Sequence, residues 1–195
     1  MKEIDNLYRR YSTYLQEKYG ERVYKLPINL PVTCPNRDGT LGYGGCTFCG
    51  EMGAGFENLP DHYKVKEQID KNMRYISKRY NANKFIAYFQ DFTNTYLPLE
   101  DFKNYITEAL EKNIVEIAIS TRPDCITNEH LIFLKEIQEK NNVEISIELG
   151  LQTVNYHSLK KINRGHTLAE YIDAVLSIKK YGFEICTHLI LNLPW

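Results

Sequence analysis

Four short apolar runs recur along this chain at roughly the length of a strand plus a helix, and that recurrence leaves few folds open. Lys84-Phe85-Ile86-Ala87-Tyr88-Phe89-Gln90, Val115-Glu116-Ile117-Ala118-Ile119-Ser120, Val143-Glu144-Ile145-Ser146-Ile147-Glu148 and Phe183-Glu184-Ile185-Cys186-Thr187-His188-Leu189-Ile190 are rich in β-branched and aromatic residues and read as strands. Charged amphipathic segments at 65–80, 99–113, 128–141 and 168–181 alternate with them, the second carrying Phe102, Tyr105, Ile106, Ala109 and Leu110 on one face. An earlier strand, Tyr24-Lys25-Leu26-Pro27-Ile28-Asn29-Leu30, follows a helix predicted over 5–19, where Leu7, Tyr8, Tyr11, Tyr14 and Leu15 keep helical spacing and Gly20 ends it. Strand–helix alternation with right-handed crossovers gives an α/β fold, a barrel or open sheet with about five parallel strands. At 195 residues and 43% apolar content the chain is expected to form a single domain, 1–195.

In such sheets ligands gather at the carboxyl ends of the strands. The polar residues fall at those ends: Cys34 after strand one, Gln90-Asp91-Phe92-Thr93-Asn94-Thr95 after strand two, Ser120-Thr121-Arg122-Pro123-Asp124 after strand three, and Glu148-Leu149-Gly150-Leu151-Gln152-Thr153 after strand four. Strand five ends at Asn192-Leu193-Pro194.

The first of these ends opens a run holding Cys34, Cys46 and Cys49, with no fourth cysteine at matching spacing. Three thiolates fill three corners of a four-iron cluster and leave one iron open to bind and reduce something. Seven of the eleven glycines, Gly39, Gly42, Gly44, Gly45, Gly50, Gly53 and Gly55, lie in or just beyond the run, where a backbone must bend closely around a bulky group. The competing metal is zinc, with His62 completing a Cys3His site. Cys125 and Cys186 read as small apolar fillers, His188 as a hydrogen-bonded core histidine, and His130 and His157 as helix-surface residues.

Lysine and arginine total 24 against 25 aspartate and glutamate, so the formal charge of -1 exerts no global pull toward nucleic acid or anionic membrane. The local exception is the N-terminus, where Arg9, Arg10, Lys18, Arg22 and Lys25 interleave with Tyr8, Tyr11, Tyr14, Tyr19 and Tyr24. Core packing with a solvated basic face is the plain reading of that helix, and RNA contact the sharper one. No apolar run approaches the roughly 20 residues of a membrane span. The opening residues lack a secretion-signal pattern and the odd cysteine count is no disulfide framework, so a cytoplasmic location is expected.

Taken in order, Gly20-Glu21-Arg22-Val23-Tyr24-Lys25, Thr33-Cys34-Pro35-Asn36-Arg37-Asp38-Gly39-Thr40, Gly45-Cys46-Thr47-Phe48-Cys49, Tyr88-Phe89-Gln90, Thr93-Asn94-Thr95-Tyr96, Thr121-Arg122-Pro123-Asp124, Glu148-Leu149-Gly150-Leu151-Gln152-Thr153 and Asn163-Arg164-Gly165-His166-Thr167 resemble the radical S-adenosylmethionine (SAM) superfamily. Within it they resemble the YhcC/YtqA-like proteins, which are related to the catalytic subunit of Elongator. The eleven residues between Cys34 and Cys46 depart from the usual superfamily spacing and match this subgroup.

The resemblance implies a partial TIM-like (βα) barrel, the radical SAM core, with a cluster loop over 33–58. It implies a [4Fe-4S] cluster on Cys34, Cys46 and Cys49, SAM on the open iron, and reductive cleavage of SAM to a 5′-deoxyadenosyl radical that abstracts hydrogen. Carried over by residue, Phe48 packs on the adenine and Gln90 or Thr93 receives the SAM amine. Thr121, Arg122, Glu148 and Gln152 face the ribose and methionine portions, and Arg164 pairs with the carboxylate. The plain reading of Arg122 is an Arg–Asp pair that closes a turn. The implied partners are a reductant such as flavodoxin or ferredoxin, and a tRNA whose uridine is modified; no membrane is involved.

Members of the family continue past the fifth strand, where this sequence has Asn192-Leu193-Pro194-Trp195. The expectation is a truncated member lacking the usual last strand and C-terminal extension. Another chain then completes the barrel, or the chain is an inactive cluster-binding remnant or partner subunit.

Overall fold

Strands β1 (Val23–Ile28), β2 (Lys84–Phe89), β3 (Ile114–Thr121), β4 (Glu144–Gln152) and β5 (Glu184–Leu189) pair in parallel, in the order in which the chain makes them. The computed structural model describes residues 7–50 and 58–193. Parallel neighbours in sequential order need a crossover after every strand, and right-handed crossovers put the connecting helices on one face. Those helices are α2 (Val65–Tyr80), α3 (Leu99–Glu108), α4 (Asn128–Asn141), the short α5 (Tyr156–Lys161) and α6 (Leu168–Lys180), with α1 (Tyr11–Tyr19) ahead of β1. The result is the expected α/β architecture, five parallel strands of a partial barrel in one open sheet.

Alternation along the strands divides the sheet into two faces. Leu26, Ile28, Phe85, Ala87, Phe89, Ile117, Ile119, Ile145, Ile147 and Leu149 point to the helices and are buried against Ile69, Phe102, Ile106, Leu131, Leu134 and Ile178. Each such side chain contributes about 1.5–3 kcal/mol of burial, so this face holds the fold together.

The other face is polar and is closed at one end by α1. Leu15 packs on Val23, Ile86 and Ala118. The Tyr19 hydroxyl donates to Glu116 at 2.6 Å, Ser146 donates to its other oxygen at 2.6 Å, and Tyr14 donates to Glu184 at 2.7 Å. Tyr19 and Ser146 thus satisfy a Glu116 carboxylate that is only 1% exposed. Because Val23, Glu116 and Glu184 lie near strand starts, α1 forms a floor at the amino ends and leaves the carboxyl ends open.

Several boundaries differ from the sequence expectation. The first helix begins at Tyr11, not at residue 5; Asp5 lies outside the described residues, and Arg10 is extended at φ -66 and ψ 136. Leu7 and Tyr8 are 79% and 62% exposed, so no burial draws the preceding turn into helix. Gly20 does end it, at φ 75. Helix α3 stops at Glu108 instead of 113, and Asn113 enters β3 with φ 76. Strand β4 runs to Gln152, so Glu148 stands inside the strand. Helix α5, which the periodicity missed, starts where the Asn155 side chain accepts from the Ser158 N–H at 3.1 Å. No described helix is long and apolar enough to cross a membrane.

Candidate functional site

The cysteine run folds back on itself and docks on the segment after α5. Within it, the Arg37 N–H donates to the Cys34 carbonyl at 2.7 Å, the Cys49 N–H to the Cys46 carbonyl at 3.0 Å, and Asp38 bridges Tyr43 in antiparallel fashion. Across to the other segment, Asn36 Nδ2 donates to the Asn163 and Arg164 carbonyls at 2.5 and 3.0 Å, and Asn163 Nδ2 donates to the Gly45 carbonyl at 2.9 Å. Gly165 makes this approach feasible. Its φ is +78, and a Cβ there would lie 2.5 Å from Asn36 Oδ1. The clustering of Asn163, Arg164 and Gly165 in the sequence is therefore a docking device for the cysteine loop. The loop's continuation through 51–57, with Gly53 and Gly55, lies outside the described residues.

All eleven candidate residues, Cys34, Cys46, Phe48, Cys49, Gln90, Thr93, Thr121, Arg122, Glu148, Gln152 and Arg164, line one cavity of about 250 Å³ at the carboxyl ends of the strands. The three cysteine sulfurs are not gathered as a single ion would require. Among the described residues, the only three ligand atoms of separate Cys, His, Asp or Glu side chains mutually within 4.8 Å are those of Glu148, Cys186 and His188. A tetrahedral zinc with ~2.3 Å bonds to sulfur would hold its thiolates about 3.8 Å apart. His62, the proposed fourth zinc ligand, is exposed and lies against the Tyr63 ring.

Each sulfur faces an N–H donor. Arg37 Nη2 is 3.5 Å from Cys49 Sγ, Arg122 Nη1 is 4.0 Å from Cys34 Sγ, and Cys46 Sγ has Asn36 Nδ2 at 3.5 Å and Arg164 Nη1 at 3.6 Å. The remaining donors of the two buried arginines are already engaged. Arg122 grips Asp124 with Nε at 2.9 Å and Nη2 at 2.7 Å, and gives Nη1 to the Arg164 carbonyl at 2.8 Å. The Arg–Asp turn closure foreseen as the plain reading is thus present. Arg164 gives Nε and Nη2 to the Gly150 carbonyl at 3.2 and 2.7 Å. Thr121 likewise shares its hydroxyl with Thr95 at 2.6 Å.

Other strand-end residues also line the cavity, Thr93 and Gln152 among them. Thr93 Oγ1 is buried with no hydrogen-bond partner among the described residues, while Asn94 holds the turn by donating to the Phe89, Asp91 and Ser120 carbonyls at 3.1, 3.0 and 2.9 Å. Gln152 has φ 72 at the register shift between β4 and β5, a strained backbone at the cavity wall.

Deeper on the polar face, Glu148 has the partners that its burial demands. Lys25 Nζ donates at 2.5 Å, His188 Nε2 at 2.8 Å and the Tyr88 hydroxyl at 3.0 Å. Burial alone would raise this carboxyl, but the His188 hydrogen bond and the Lys25 charge outweigh it and hold the pKa at about 2. His188, beside Cys186 and bonded to Glu148, is raised to about 9.

Sequence reasoning quoted Lys25, Asn36, Arg37 and Tyr88 within its motifs but gave none of them a role at the site. It also misplaced four side chains. His188 is half-exposed, its side chain 44% accessible, because β5 is the edge strand. Cys186 is exposed on that same edge, and Cys125 is half-buried, its thiol pushed up to about 12 by burial and then by Asp124. His130 is buried, edge-on to Phe102, because its Nδ1 accepts from the Thr127 N–H at 3.2 Å to close the start of α4.

The family model described as the radical SAM superfamily matches residues 28–194. The chain is 37% identical over 195 residues to the uncharacterized protein YtqA of Bacillus subtilis, covering 97% of this chain and 59% of that one. It is 34% identical over 193 residues to protein YhcC of Escherichia coli, covering 98% and 61%. A shorter match, 32% over 90 residues, links 46% of the chain to 16% of a tRNA uridine(34) acetyltransferase of Methanocaldococcus jannaschii. The chain spans about three fifths of the length of YtqA and YhcC.

Proposed function

Because this chain belongs to the radical SAM superfamily, we propose that Cys34, Cys46 and Cys49 hold a [4Fe-4S] cluster with one iron open, that the cavity takes SAM, and that the protein cleaves SAM reductively. The observation that supports it most is the cavity wall itself. Three thiols too widely spaced for one ion share it with an unpartnered hydroxyl and the polar ends of three strands. Bound there, cluster and SAM supply one-electron cleavage of the sulfonium to a 5′-deoxyadenosyl radical that takes hydrogen from a C–H bond.

The chain's own residues orient and shield. Thr93 Oγ1 accepts a hydrogen bond from the SAM amine, with Gln90 beside it on the same wall. Phe48, 43% exposed next to the last cysteine, covers the adenine. Gln152 and Glu148 stand along the remaining length, and α1 closes the floor against water. A flavodoxin or ferredoxin supplies the electron.

Anaerobic reconstitution should give a brown protein with about four irons per chain, bleached by dithionite and producing 5′-deoxyadenosine from SAM. A colourless, zinc-loaded product overturns the reading.

For the substrate class we propose a tRNA uridine. Its support is the partial likeness to the tRNA uridine(34) acetyltransferase. The tyrosine-rich N-terminal helix adds little, since Tyr14 and Lys18 are bonded to Glu184 and Tyr19 to the buried Glu116. Nucleoside mass spectrometry of tRNA from a deletion strain tests it, and an unchanged profile removes it.

A further inference from the structure

Two guanidinium groups are buried beside the cysteines, and among the described residues one carboxylate, Asp124, forms a salt bridge to them. Arg122 and Arg164 are 2% and 6% exposed, and the salt bridge that Asp124 makes among the described residues is to Arg122. Arg164 has only neutral oxygens and a sulfur around its donors among the described residues. A buried cation without an anion is expensive, and among the described residues Arg164 has no carboxylate at its donors. The cysteine sulfurs are where negative charge arises once they ligate iron as thiolates. His166, on the same Gly150 carbonyl at 3.0 Å, is lowered by burial and by Arg164, which places it in the same positive surroundings.

We propose that Arg37, Arg122 and Arg164 set the reduction potential of the cluster, each acting on a different cysteine: Cys49, Cys34 and Cys46 respectively. This rests on the cluster reading above. Taking up one electron adds one negative charge to the cluster and its thiolates, and hydrogen bonds and cations at the sulfurs favour that reduced form. The effect is strong at Arg122 and Arg164, where burial weakens solvent screening, and weaker at the half-exposed Arg37. These are positioning and tuning groups. The assignment also explains why their donors are engaged with Asp124, Gly150 and sulfur.

The test is a dithionite titration followed by electron paramagnetic resonance, without SAM, on the reconstituted full chain. Wild type is compared with Arg164→Met, Arg164→Lys, Arg37→Gln and Asp124→Asn, with iron measured for each. Arg164→Met should lower the reduced-to-oxidised ratio at a fixed poise about tenfold, ~59 mV for a one-electron couple. Arg37→Gln should shift it the same way by less, and Arg164→Lys should stay near wild type. Asp124→Asn should shift it upward, because it frees the charge of Arg122. If Arg164→Met loses its iron, the loop variant Arg37→Gln and the oppositely signed Asp124→Asn still decide the matter. Midpoints that coincide at full iron content overturn this proposal alone, as does a loss of SAM affinity with no change in potential. A wild-type chain that holds no iron overturns the cluster reading with it.

Discussion

Glu148 and His188 face each other across the β4–β5 pair, with Oε2 and Nε2 2.8 Å apart, and both are charged at neutral pH. The Glu148 carboxyl is depressed from 4.5 to about 2, so its contribution to stability is full above 4.5 and is lost as pH falls toward 2. The His188 ring is raised from 6.5 to about 9, so its contribution is full below 6.5 and is lost as pH rises through 9. Between 4.5 and 6.5 both are complete. The difference in urea midpoint between wild type and Glu148→Gln should therefore peak in that window and shrink on either side. A difference that stays flat with pH rejects the ion-pair account.

That pair also marks where the sequence stops being legible. Short runs rich in β-branched and aromatic residues revealed all five strands because one sheet face is apolar throughout. They could not reveal that Lys25, Tyr88, Glu148 and His188 converge, since convergence depends on register between strands distant in sequence. The strand-end rule, the cysteine run and the family resemblance together named eleven residues that line one cavity, yet none of them could say where their donors point. Arg164 was readable as a ligand for a carboxylate, and only the fold shows Gly150 beneath its guanidinium. Helix starts were legible where a capping side chain stands, as at Thr167, and not at Arg10, which has no side-chain cap.

Gly165→Ala should damage the cysteine loop specifically. The new Cβ meets Asn36 Oδ1 at 2.5 Å in a backbone with φ +78, so Asn36 must leave its carbonyls. Left-handed strain of roughly 1–2 kcal/mol adds to the lost hydrogen bonds. Thermal melting of the metal-free chain should fall, and reconstituted iron content should fall with it. A variant that keeps full iron shows that the Asn36 clamp is dispensable.

Thr167→Ala, two residues on, should act differently. Thr167 accepts from the Ala169 N–H at 3.2 Å while Glu170 accepts from the Thr167 N–H at 2.8 Å, so the change removes a helix cap worth about 1 kcal/mol. Thr167 is not among the residues that line the cavity. Chemical denaturation should show the loss and iron content should not change; iron lost in proportion to stability would mean that α6 and the loop unfold together.

Thr93→Val separates binding from folding most sharply. The Thr93 hydroxyl is buried without a partner among the described residues, a condition that costs the ligand-free fold about 1–3 kcal/mol. Valine keeps the shape and removes that penalty, so the ligand-free chain should be as stable as wild type or more so. If the hydroxyl is there to receive the SAM amine, the same change leaves that amine unmatched and should weaken SAM binding about tenfold, ~1.4 kcal/mol. Urea denaturation without ligand and equilibrium SAM titration of the reconstituted protein read the two effects separately. Lower stability together with unchanged SAM affinity would mean that Thr93 belongs to the fold and not to the cofactor site.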